Sequence, residues 1–157
     1  MATEDRRKSS WARVTLWAGL LAGTLDILAA VVTNTLRGST PTRVLQSVGS
    51  GLLGRRAFDG GWPTAAFGLV VHYVLMIIIA AIYCALARRM PWTLQRPVLA
   101  GAVFGVAAYA VMNAVVVPLS AFPYTLSYPP STLAIGIGVH IVCIGVPMAL
   151  VAAAARR

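Results

Sequence analysis

Four long apolar runs separated by short polar stretches dominate the chain. They extend from about Val14 to Leu36, Thr64 to Ala87, Val98 to Leu119 and Thr132 to Ala155. Each is long enough to cross a hydrocarbon core about 30 Å thick, which takes about 20 residues of α-helix. The runs do not alternate between polar and apolar positions and are too long for barrel strands. An open sheet cannot span lipid, because its edge N–H and C=O groups would have no partners. The pattern predicts an all-α fold, an integral membrane four-helix bundle in one domain over residues 1–157.

The first run exceeds the 7–15-residue apolar core of a signal sequence and lacks a small-x-small exit, so it reads as a retained helix. Arg6-Arg7 invites a twin-arginine reading, but Lys8-Ser9-Ser10 follows where that signal needs apolar residues. The first loop, 38–63, is longer than a helix-to-helix turn requires. Thr40-Pro41 has the form of an N-cap followed by proline at N1. Val44, Leu45, Val48, Leu52 and Leu53 recur at helical spacing, with Arg43, Gln46, Ser47 and Arg55 elsewhere on the wheel. This predicts a short amphipathic helix on the outer surface, weakened by Gly49, Gly51 and Gly54. Residues 120–131 are uncharged, proline-rich and predicted non-helical.

Composition agrees. Of 157 residues, 59% are hydrophobic and 11% charged, where an average globular chain has about 25% charged. Such a chain cannot build the charged shell of a soluble enzyme. The net charge of +9 and pI near 10.8 do not point to nucleic acid, because the basic residues fall in clusters between the apolar runs, where they meet anionic headgroups. Nine lie in the N-terminal tail, the 88–97 loop and the C-terminus; four, Arg37 included, lie between the first and second runs and none in 120–131. The positive-inside rule predicts that both termini are cytoplasmic. Trp11 and Trp92 suit the inner interface; Trp62, Tyr124 and Tyr128 suit the outer one. Arg43, Arg55, Arg56 and Trp62 are then interfacial anchors of the outer loop, and the lipid bilayer is the expected partner.

Gly19-x-x-x-Gly23 and Gly101-x-x-x-Gly105 permit close helix packing and are compatible with a homodimer. Gly68-Leu-Val-Val-His72 and Gly136-Ile-Gly-Val-His140 share the form G-x-x-V-H, which suggests duplication of a helical hairpin about an axis along the membrane normal. Cys84 and Cys143 differ in depth by about 14 Å at 1.5 Å per residue, too far for a disulfide, and read as small apolar fillers.

Asp26 is the only charged side chain within the four runs. It falls about 12 Å from the outer face, the same depth as His72 and His140, with Asn113 slightly shallower. One polar residue from each helix thus meets in a single layer. A mid-membrane carboxylate costs about 2.5–3.5 kcal/mol on insertion scales and needs a partner, so a hydrogen bond from Asp26 to His72 or His140 is expected. Four roles fit this layer. It is a hydrogen-bonded cross-link between helices in a structural subunit, or a protonatable site in a non-enzymatic protein with a proton- or solute-linked role. Alternatively, His72 and His140 hold a b-type haem, with Gly68 and Gly136 making room for the macrocycle, or His72, His140 and Asp26 ligate a transition metal. No nucleophile-plus-base motif or phosphate loop supports catalysis.

The order His72, Tyr83, Pro91, Leu99-Ala-Gly-Ala-Val-Phe-Gly105, Pro118-Leu-Ser-Ala-Phe-Pro123 and Gly138-Val-His140 resembles the YagU-like group of small bacterial inner-membrane proteins, over about the last 90 residues. The first loop here is shorter than in that group. The resemblance implies a bacterial inner membrane and four helices. Through the group's association with acid tolerance, it also favours a proton-linked role over haem. It carries over no catalytic residue.

Overall fold

Apolar runs of this length satisfy their backbone hydrogen bonds internally only as helices, and helices make up 86% of the chain, with no strand among the described residues. The computed structural model describes residues 2–125, 127 and 129–156, and side chains from Trp11 onward; Tyr128 and Arg157 lie outside the described residues, as do the side chains of Arg6, Arg7 and Lys8. Six helices follow in order: α1 (Ala2–Thr35), α2 (Pro41–Leu53), α3 (Gly61–Arg89), α4 (Trp92–Gln95), α5 (Pro97–Leu119) and α6 (Pro130–Ala154). Four of these, α1 from Trp11 onward together with α3, α5 and α6, are long and apolar enough to cross a membrane.

Around the bundle the order is α3, α1, α6, α5: α1 packs on α3 and α6, and α6 on α5. Small residues set these seams, since helix backbones close up where side chains are missing. A Cβ on Gly19 would lie 2.9 Å from the Cα of Ile77, and one on Gly23 3.1 Å from the Tyr73 ring. Gly101 and Gly105 lie against α6: their Cβ atoms would come within 2.6 Å of the Gly145 carbonyl oxygen and 2.7 Å of the His140 carbonyl oxygen. Ala18, Ala22, Ala80, Ala149 and Ala152 fill the centre with Met76, Tyr83, Ile144 and Met148.

The fourth side differs. No extended backbone contact joins α3 to α5; Tyr83 and Phe104 touch edge to face at 5.0 Å between centroids, and a cleft opens beside them.

Helix α2 begins as its sequence dictates. Thr40 caps it, its hydroxyl accepting from the Arg43 N–H at 3.2 Å, with Pro41 in the first turn. Its packing corrects the expected weakening by glycine. Gly49 sits on Gly68 of α3, where an added Cβ would lie 3.3 Å from the Gly68 Cα, and a Cβ on Gly68 would collide with the Leu45 carbonyl. The glycines are the contact surface. Gln46, expected on the polar side, is buried and donates to the Gly61 carbonyl (3.0 Å) and the Thr64 hydroxyl (3.2 Å). Leu52 and Leu53 stay exposed. Gly54, at φ +60, ends the helix in a conformation that suits glycine.

Trp11 is buried in the core at the end of the bundle that carries both termini, with Arg156 above its ring at 5.5 Å.

Candidate functional site

Three helices bring ionisable side chains together. Asp26 of α1 lies within Coulombic reach of His140 of α6 and, more weakly, His72 of α3, and Cys143 is also in its field. The contacts of each group follow from its helix. His72 is buried, and its Nε2–H donates to the Gly23 carbonyl across the α1–α3 seam at 2.8 Å. His140 donates from Nδ1–H to the Gly136 carbonyl one turn back, at 3.0 Å. That bond fixes the tautomer and leaves the Nε2 lone pair available.

The expected hydrogen bond from Asp26 to a histidine is therefore absent. Each imidazole meets a nearer backbone carbonyl that it can reach without moving its helix. The carboxylate lies near both rings without a hydrogen bond to either.

Two tyrosines complete the layer and were not anticipated from sequence. Tyr73 stands edge-on to His72 at 5.5 Å and shares a hydrogen bond with the Thr24 hydroxyl at 2.9 Å. Tyr109 of α5 stands edge-on to His140 at 5.1 Å and fills the space beside Gly136. One turn on, Asn113 donates its amide to the Tyr109 carbonyl at 2.9 Å and lines the neck of the α3–α5 cleft with Ser47 and Ser120.

Both α5 and α6 widen into a π-helical turn beside this layer, over Met112–Val116 and His140–Gly145. The Val117 and Val146 N–H groups reach five residues back, to the carbonyls of Met112 and Ile141. Pro118 and Pro147 follow directly. Proline lacks an N–H and clashes with the carbonyl four residues earlier, and the wider turn relieves that clash. Recurrence of Val-Pro at 117–118 and 146–147, each a turn or more after a polar residue, is the sequence signal of both bulges.

Neither the haem nor the metal reading fits these residues. Leu45 and Gly49 of α2 occupy the space at Gly68, and the Tyr109 ring occupies that at Gly136, so no room for a macrocycle is left. His72 Nε2 is already committed to a carbonyl. Among the described residues, no three His, Cys, Asp or Glu side chains converge closely enough to hold a metal ion. Cys84 and Cys143 are separate free thiols, Cys84 in the core.

No family model, curated protein or solved structure matches the chain.

Proposed function

We propose that this is a non-enzymatic, multi-pass protein of the bacterial inner membrane, with a proton-linked role centred on Asp26, His140 and His72. What carries the reading is the placement of one carboxylate within Coulombic reach of two imidazoles contributed by two other helices. Ionisable groups in an apolar bundle face the interior and form relays where they meet, and aspartate–histidine sets exchange protons near neutral pH. His140, with Nδ1 bonded and Nε2 available, accepts a proton without breaking its hydrogen bond. Asn113 extends the polar path from Tyr109 towards the cleft. In this reading the termini are cytoplasmic, α2 lies on the outer face and the polar layer sits in the outer half of the membrane, as the distribution of arginines and the likeness to the YagU-like group suggest.

The test is proton movement in proteoliposomes under an imposed pH gradient, followed with a lumenal pH dye. Wild type is expected to dissipate the gradient, and Asp26→Asn, which keeps size and polarity, to abolish dissipation while the protein remains folded. Equal rates for wild type, Asp26→Asn and empty liposomes would assign the layer to helix cohesion instead.

A further inference from the structure

The polar layer does not account for an apolar opening on another side of the bundle. Between α3 and α5 lies a cleft of about 350 Å³, walled by Leu75, Ile79, Ile82, Phe104, Val111 and Val116 without any polar side chain. It opens sideways, out of the bundle. Leu75, Met112 and Val116 also line a neck of about 300 Å³ nearer α2, where Ser47, Asn113 and Ser120 add polar groups. Ser47 and Val48 also line a third opening, a mouth of about 300 Å³ bordered by Asn34, Ser39, Arg43 and Tyr124. Taken in this order, the linings change from wholly apolar to polar and basic.

The mouth is built and charged. Arg43 lies over the Phe58 ring at 4.9 Å and Arg55 over Tyr124 at 5.8 Å. Phe58, Tyr124 and Phe122 contact one another in series. The Ala121 N–H donates to the Gly51 carbonyl at 2.8 Å, tying the last loop to α2. Arg37, Arg43, Arg55 and Arg56 share the stretch between α1 and α3 with Asp59 alone, a net charge of +3, and among the described residues none of these arginines is paired with a carboxylate. Aromatic faces hold the guanidinium groups in place, while their N–H forks stay open to phosphate oxygens.

We infer that together these openings form a path that binds one anionic phospholipid of the surrounding bilayer, an acyl chain lying in the α3–α5 cleft and the phosphate headgroup at Arg43 and Arg55. The sequence of environments matches an amphiphile with a negative head. An apolar opening at membrane depth faces lipid chains, so the chain belongs to a lipid and the charge selects which one. The π-helical turn at Met112–Val116 forms the cleft wall at the neck, where its extra residue turns Asn113 into the path. The inference holds for either orientation in the membrane and does not depend on the proton-linked reading.

Spin-labelled phosphatidylglycerol and phosphatidylcholine, each added to phosphatidylcholine vesicles containing the full chain, test it by the fraction of label immobilised. Wild type should immobilise one phosphatidylglycerol per chain in preference to phosphatidylcholine. Arg43→Gln should lower that preference about fivefold. Ala107→Phe, an exposed position on the cleft wall, should remove the immobilised component for both lipids. Val111→Trp provides a second filled cleft, and Leu28→Phe, on the exposed face of α1, controls for added bulk and should change nothing. Equal immobilisation of the two lipids would overturn the headgroup assignment. Immobilisation that survives both filled clefts would overturn the chain assignment, leaving only ordinary boundary lipid. A dimer without immobilised lipid would give the cleft to a second copy and overturn the proposal outright.

Discussion

Helix α5 presents two faces to two neighbours, and the outcomes are opposite. Towards α6 it offers Gly101 and Gly105, and the backbones meet so closely that a Cβ on Gly145 would collide with the Gly101 carbonyl. Towards α3 it offers Phe104, Val111 and Val116 against Leu75, Ile79 and Ile82, and the backbones stand apart around a cleft of about 350 Å³. In water the second face would be the stronger one, since it has more apolar area to bury. In lipid that advantage disappears, because the chains outside are as apolar as leucine, and close packing of small residues decides which helices join. The bundle is shut where residues are small and open where they are large.

Substitution at the shut seam should have the largest effect. Gly145→Leu places a branched side chain against the α5 backbone with no flexible neighbour to yield. It should destabilise the bundle by about 3 kcal/mol or more, the upper end for overpacking, read as a loss of folded protein in detergent thermal melts. Gly68→Leu probes the same principle at α2. It should cost about 1–3 kcal/mol and expose α2 to proteolysis while α5 and α6 stay joined; unchanged protease resistance would show that α2 is held by something other than its glycine contact. The smallest effect belongs to the edge of the cleft. The Tyr83 hydroxyl is buried near Thr93 without a hydrogen bond of normal geometry. Tyr83→Phe keeps the contact with Phe104 and removes that unsatisfied group, so it should be neutral or stabilising by about 1 kcal/mol. A loss of more than that would mean the hydroxyl has a partner in the membrane.

Much of this arrangement was legible in the sequence, because length and hydropathy are sufficient to specify four membrane-length helices. The cap at Thr40-Pro41 and the packing glycines carry local signals that depend on few neighbours. The hydrogen bonds of Asp26 were not legible. Depth along a helix is one coordinate, and a bond also requires the rotation of two helices and the position of competing carbonyls such as those of Gly23 and Gly136. Gln46 was misread for a related reason: an amphipathic wheel gives the polar side of a helix but does not reveal that a neighbouring helix will bury it. The two π-helical turns were written in the Val-Pro pairs at 117–118 and 146–147. The cleft was not, since it is defined by a contact that two helices fail to make.

The contrast between shut and open seams is tested most directly by paired cysteines in a chain carrying Cys84→Ala and Cys143→Ala, oxidised in phospholipid vesicles. Gly23→Cys with Met76→Cys spans the α1–α3 seam, where the Cβ atoms would be 3.3 Å apart, close to the range of about 3.5–4.5 Å that a disulfide uses. Ile78→Cys with Val111→Cys spans the cleft. The account predicts rapid cross-linking of the first pair and none of the second. Equally rapid cross-linking of both would mean that α3 and α5 close on each other in the bilayer, and would contradict it.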